Sequence, residues 1–140
     1  MSTARFQTWK AAWSLDWKSR GYAIEHVLAG NDGVPTTNFK VIDAWSNGNA
    51  VSIKSLDLSL KSYQPPDAVR GKIYEYIDKL APYNGGSGGG LKIRPDQITG
   101  RELRLAIPNG VGTPGQHEAL RDAAAYGLSK GVDVNTIPVK

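Results

Sequence analysis

The chain has 140 residues, 40% of them hydrophobic, with 17 Lys plus Arg against 13 Asp plus Glu and a net charge of +4. That length predicts one domain, residues 1–140, with one hydrophobic core, and the composition favours a globular chain over a disordered one. Cysteine is absent, which excludes disulfides, thiolate metal sites and cysteine nucleophiles within this chain. No apolar run approaches the ~20 residues of a membrane helix, so no membrane segment is expected. The start, Met1 to Phe6, has no apolar stretch of the kind a signal peptide carries. The mild basicity suits a nucleic-acid partner without demanding one.

From about Thr3 to Ala29 the chain reads as a helix. Trp9, Trp13, Trp17, Ile24 and Leu28 fall close to one helical face. Asn31 to Pro35 reads as a loop. Two strands follow, roughly Phe39 to Ser55, joined by Asn47-Gly48, a strong hairpin signal. A second helix is predicted from Pro66 to Leu80, with Pro65-Pro66 suited to its first turn and Val69, Ile73, Tyr76, Ile77 and Leu80 as its apolar stripe. Pro82 to Gly90 is glycine-rich and reads as a flexible loop, native or engineered. It lacks the Lys and Ser/Thr of a phosphate-binding P-loop. Leu91–Ile93 and Arg101–Ile107 read as strands. Thr113 can cap a third helix, with Pro114 at its first position, Gln116 completing a capping box, and Lys130-Gly131 ending it. A last strand, Val132 to Val139, contains Pro138, which favours a sheet edge or a strand end. The order predicts an α/β (α+β) fold, a mixed sheet with helices on its faces.

A two-residue turn at Asn47-Gly48 fixes the pairing. Ser46 then faces Asn49, Ala44 faces Val51, Asp43 faces Ser52 and Ile42 faces Ile53. Strand alternation puts Ile42, Ala44, Val51 and Ile53 on one face, and Asp43, Ser52 and Lys54 on the other. Opposed residues have Cβ atoms about 5 Å apart, so a carboxylate, a hydroxyl and an ammonium converge. Hard divalent metals take oxygen ligands, and phosphodiester hydrolysis uses such a metal to activate water and offset charge. Asp43 can ligate, Ser52 or the Ile53 carbonyl can add oxygens, and Lys54 can hold water or stabilise the transition state. Glu25, at four-residue steps from Trp17 and Gly21, is the candidate second carboxylate. The plainer reading of Asp43 and Lys54 is a surface salt bridge worth little. His26 could ligate zinc or sit at the surface, whereas His117 aligns with Leu120 and Ala124 and reads as a packing residue. Lys18, Arg20, Lys61, Arg70 and Lys72 are candidate phosphate contacts, or a solvated basic face.

Gly21 to His26, Phe39 to Asp43, Ala50 to Asp57 with its Ser-Ile-Lys-Ser-Leu-Asp run, and Arg101 to Pro108 carry a resemblance. Together they resemble the endonuclease toxin domains of contact-dependent growth inhibition (CDI) systems. These are the C-terminal modules of CdiA-type toxins, a branch of the PD-(D/E)xK, restriction-endonuclease-like superfamily. The resemblance implies a restriction-endonuclease-like mixed central sheet flanked by helices. It implies Glu25 as the helix glutamate, Asp43 as the metal aspartate and Lys54 as the active-site lysine. Ser52 stands where the wider superfamily usually has Asp or Glu, and Ile42 where it has the motif proline. The resemblance further implies Mg²⁺, Mn²⁺ or Zn²⁺ dependence and a cognate immunity protein. It also implies a secreted or cell-surface-delivered effector acting in the target-cell cytoplasm. DNA is the favoured substrate; tRNA is the rival within the same fold, and a non-catalytic basic nucleic-acid-binding module or a small scaffold domain is the rival outside it.

Overall fold

The computed structural model describes residues 34–35, 41–88 and 91–139. The predicted first helix, with Lys18, Arg20, Glu25 and His26, lies outside the described residues. Among the described residues the main sheet is five-stranded. Its strands are β1 (Val34–Pro35), β2 (Ala44–Ser46), β3 (Asn49–Ser55), β6 (Gly100–Pro108) and β7 (Asp133–Val139), side by side in that order. The β1–β2 and β2–β3 pairs are antiparallel, whereas β3–β6 and β6–β7 are parallel. Each parallel pair needs a long crossover, and each crossover contains a helix: α1 (Pro66–Leu80), then α2 (Pro114–Ser129). The sheet is mixed and carries helices, as the element order predicts.

Helix α1 starts on Pro66, whose missing N–H costs nothing in the first turn. Val69, Ile73, Ile77 and Leu80 are its buried stripe, none more than 1% exposed. They pack with Ala50, Leu103, Leu105 and Ile107 of the sheet and Ala119, Leu120 and Ala123 of α2. Each large aliphatic side chain buried there contributes roughly 1.5–3 kcal/mol. Helix α2 has the predicted capping box: the Gln116 amide donates to Thr113 Oγ1 at 3.1 Å, and the Thr113 amide to Gln116 Oε1 at 2.8 Å. Gln116 is buried, and its Nε2 donates to the carbonyls of Leu58 and Tyr63. The cap of α2 therefore also pins the chain running from β3 to α1. Arg70 ties the two helices by donating to Asp67 and to Asp122.

Two stretches read as loops form strands. Val34–Pro35, expected in a loop, pairs with Trp45 and Ala44 as β1, the end strand of the sheet among the described residues. Proline is tolerated at the end of a sheet, where its missing N–H breaks no ladder. Gly86–Gly88 (β4) pairs with Leu91–Ile93 (β5) in a separate antiparallel ribbon. Glycine-rich composition signals backbone freedom, and pairing overrides it here. Pro138 lies in β7, the strand at the other end of the main sheet, as expected.

Candidate functional site

The hairpin turn adopts the predicted conformation. Asn47 and Gly48 both have positive φ, 48° and 88°, as a type I′ turn requires. The turn is docked on the start of β6: the Gly48 carbonyl accepts from Thr99 N at 2.8 Å and Gly100 N at 3.2 Å. The register matches the expectation at Ser46↔Asn49 and Ala44↔Val51.

Beyond Ala44 the expected pairing fails. Asp43 does not pair with Ser52 in the ladder, nor Ile42 with Ile53. Instead the Asp43 amide donates to the Val51 carbonyl at 2.7 Å, although Ala44 is Val51's ladder partner. Two residues thus meet one, the count that defines a β-bulge. The extra residue reverses the alternation upstream. Ile42, expected beside Val51 and Ile53, instead packs in the cluster of Ala50, Leu103 and the helices.

The bulge sets the place of the aspartate. Its Oδ2 accepts the Ile53 amide at 2.7 Å, where a β2 carbonyl would otherwise do so. Ile53 is fully buried, so this bond satisfies a donor that has no access to water. The carboxylate is held at the peptide group that joins Ser52 to Ile53, with Lys54 the next residue along. The Asp43 carboxylate thus meets β3 at the backbone between Ser52 and Lys54, through a carboxylate-to-backbone bond rather than cross-strand opposition.

Ser52 and Lys54 share a face with Leu103 and Leu105, their parallel partners on β6. That face was expected to be the polar one, opposite Ile42, Ala44, Val51 and Ile53. It is covered by α1, because the same face supplies the core. Ser52 is 3% exposed. Over Ser52 and Lys54 sits a cavity of about 190 Å³, closed by Val41 and by Tyr76, Lys79 and Leu80 of α1. Lys54 Nζ lies 5.7 Å from the Tyr76 ring centroid, and Lys72 Nζ lies 5.3 Å from the same centroid. Burial first, then the neighbouring Tyr63 and Glu75, push the Tyr76 hydroxyl up to about 12. The site therefore presents Lys54 and Lys79 around a neutral phenol.

The opposite face of β3 and β6 carries a second polar group. Glu102 accepts from Arg104 Nε at 2.9 Å, Asn49 Nδ2 at 2.8 Å and Asn135 Nδ2 at 3.0 Å. It links three adjacent strands. Burial raises the Glu102 pKa, but the hydrogen bonds from Arg104, Asn135 and Asn49 outweigh it and hold the carboxyl below its ordinary value.

Of the candidate phosphate contacts, Arg70 directs its guanidinium at Asp67 and Asp122. Lys72 pairs with Glu75 at 3.6 Å beside its ring contact. Lys61 is exposed in a short 3₁₀ turn, Lys61–Tyr63. Glu25, Lys18 and Arg20 lie outside the described residues. The sequence reading missed Tyr76 and Lys79 as site residues. Tyr76 belonged to the apolar stripe, and its signal was a lysine four residues earlier, one helical turn away. The reading also missed Glu102 and Arg104, whose two-residue spacing places both on one strand face.

A carboxylate such as Asp43 and a hydroxyl such as Ser52 offer oxygen ligands, which suit a hard divalent cation rather than a soft one. Among the described residues no group of three or more His, Asp or Glu side chains gathers. A metal held by Asp43 and Ser52 therefore needs a further ligand, the role expected of Glu25. No helix among the described residues is long and apolar enough to cross a membrane.

A family model described as a CDI toxin restriction endonuclease-like domain matches residues 20–137. Over 106 residues the chain is 34% identical to "Deoxyribonuclease CdiA" of Yersinia pseudotuberculosis serotype O:3. It is 32% identical, again over 106 residues, to "Deoxyribonuclease CdiA-o11" of Escherichia coli O157:H7. Both matches cover 74% of this chain but 10% and 28% of those relatives, so the chain spans a small part of their length. Among solved structures it is similar to a chain of the CdiA-CT/CdiI toxin and immunity complex from Yersinia pseudotuberculosis. That match has a TM-score of 0.68 and 29% identity, and covers 84% of this chain and 98% of the other.

Proposed function

The chain belongs to the family of CDI toxin restriction endonuclease-like domains, and from that premise we propose that residues 1–140 form one metal-dependent endonuclease domain that hydrolyses DNA phosphodiester bonds in interbacterial competition. The observation that carries this reading is the Asp43 carboxylate held at the Ile53 amide, between Ser52 and the cavity-lining Lys54. Asp43, Ser52 and Glu25 would hold Mg²⁺, Mn²⁺ or Zn²⁺. Such an ion supplies Lewis acidity that lowers the pKa of water and offsets phosphate charge. Lys54 brings an ammonium to the developing negative charge, in a cavity partly closed by α1, where water screens it less. The names of the relatives favour DNA over tRNA. Contacts to phosphate alone cannot separate the two, because they carry no base information.

As a domain delivered into a target cell's cytoplasm, it would need a cognate immunity protein in the cell that makes it. A net charge of +4 suits an acidic partner surface, which speeds encounter. The β4–β5 ribbon, a sheet of its own, suits a partner that must vary without disturbing the metal site. Binding to the cognate immunity protein that is insensitive both to salt and to shortening of the ribbon would reject this surface.

The test of function is nicking of supercoiled plasmid, with total tRNA as the parallel substrate. Cleavage should need a divalent metal, stop with EDTA and return on adding metal. Lys54→Ala should fold and bind metal but turn over at least ~100-fold more slowly. Binding of DNA without cleavage under any metal would favour the non-catalytic module, and cleavage confined to tRNA would overturn the choice of substrate.

A further inference from the structure

Lys54 is held by an aromatic ring. Its ammonium lies 5.7 Å from the Tyr76 centroid, within the ~6 Å over which a ring face attracts a cation. Among the described residues no carboxylate forms an ion pair with Lys54; the ion pairs on the adjoining surface of α1 use Lys72, Lys79 and Glu75 instead. This difference matters to a charge that acts on phosphate. A carboxylate partner would fix the lysine and also cancel its field. A neutral ring fixes it and leaves the field intact. Tyr76, like any tyrosine near neutral pH, is an uncharged phenol, and burial moves its pKa further up, to about 12. A lysine side chain has a flexible four-carbon stem, so an unheld ammonium samples positions that miss the reacting group.

Lys72 approaches the same ring at 5.3 Å, from one helical turn before Tyr76. Glu75, at 3.6 Å, draws Lys72 along the helix. Lys54 instead comes from β3 and lines the cavity together with Tyr76. Of the two ammonium groups on this ring, Lys54 is therefore the one aimed at the cavity.

We infer that Tyr76 is a positioning residue for Lys54: its ring holds the ammonium in the cavity without neutralising it, so that helix α1 adds to a site otherwise built on β3 and on Asp43 just before β2. The inference rests on the reading of Lys54 as the group that acts on the phosphodiester. Tyr76 itself need not touch substrate.

The experiment uses the full chain with Tyr76→Phe, Tyr76→Leu and Tyr76→trifluorophenylalanine. The fluorinated ring keeps the shape of phenylalanine and weakens the attraction for a cation, so it holds the fold if the Leu variant does not. The first readout is NMR of ¹³C-labelled lysine, with Lys54 assigned through Lys54→Arg. Ring-current shifts at the Lys54 ε-methylene should persist in Phe and collapse in Leu. The second is metal-dependent plasmid nicking. For Leu and the fluorinated variant kcat should fall roughly 5- to 30-fold, the worth of a partly desolvated cation–π contact, with KM within about twofold. Phe should restore most of the rate.

A Leu variant at the wild-type kcat would overturn the inference. So would a Phe variant as slow as Leu, which would assign the effect to the hydroxyl, or a rise in KM at constant kcat, which would assign it to substrate binding. Failure of the nuclease reading looks different. There the wild type cleaves neither plasmid nor tRNA, which ends the catalytic consequence for Tyr76 whatever the NMR shifts do.

Discussion

Asp43 has two separable tasks, and two substitutions separate them. In the fold its Oδ2 accepts the amide of Ile53, a residue with 0% exposure. Asp43→Ala removes the acceptor and strands that donor away from water. An unsatisfied buried donor costs about 1–3 kcal/mol. For a chain of this length ~1 kcal/mol corresponds to a few degrees, so Tm should fall by roughly 3–10 °C. Asp43→Asn keeps an oxygen in the same place and should lose no more than about a third of that. Neither variant should nick plasmid, because a neutral amide is a poor ligand for a hard cation. Melting must be done in EDTA, since a metal that binds only the folded chain adds stability of its own and would confound the comparison. An Ala variant melting with the wild type would refute the structural half of the argument. An Asn variant nicking at the wild-type rate would refute the ligand half.

Three further outcomes follow from the same structure. Glu102→Gln should destabilise the fold by about 1–3 kcal/mol at pH 7, because Glu102 accepts hydrogen bonds from Arg104, Asn49 and Asn135. The folded pKa lies below the ordinary value of 4.5, so the advantage of the wild type is present above 4.5 and is lost as pH falls through the folded value. In urea melts from pH 7 to pH 3 the gap should narrow once the pH falls below 4.5, and a gap that stays constant would reject the assignment. Gly48→Ala would place a Cβ 2.4 Å from Thr99 Oγ1 at a φ of +88°, so it should cost at least ~1–2 kcal/mol and lower the urea midpoint. An unchanged midpoint would show that the turn relaxes freely from β6. Thr113→Ala should cost about 1 kcal/mol by removing the acceptor for the Gln116 amide, and Thr113→Ser should recover most of it in the same melts.

What was legible in the sequence was whatever depends on local pattern. Asn47-Gly48 strongly prefers the two-residue turn with both φ angles positive, so the turn and the register next to it could be read directly. The stripe of α1 and the Thr113–Gln116 box are equally local, and both hold. The bulge at Asp43 is not local. Alternation counts residues, and a bulge adds one without leaving any mark in the composition. The count was therefore right for Ala44 and wrong for Ile42. The pairing of Gly86–Gly88 with Leu91–Ile93 was missed for a related reason, because glycine says what the backbone can do and not which strand it meets.

The site itself shows the same limit from the other side. Ser52 and Lys54 alternate with Val51 and Ile53, a pattern that ordinarily means one face buried and one face wet. Here both faces of β3 are covered. Leu103 and Leu105, the β6 partners of Ser52 and Lys54, belong to the core under α1, and Val51 and Ile53 are buried on the face away from it. A hydroxyl and an ammonium on a covered face carry a desolvation cost, which a surface salt bridge would not ask of them. The cavity relieves that cost for both groups, and the Tyr76 ring relieves it for Lys54. Polar residues under a helix, beside a carboxylate that bonds the backbone between them, are placed where a charge acts strongly. That placement, more than the identity of any one residue, distinguishes the Asp43–Ser52–Lys54 group from the ion pairs on the outer surface of α1.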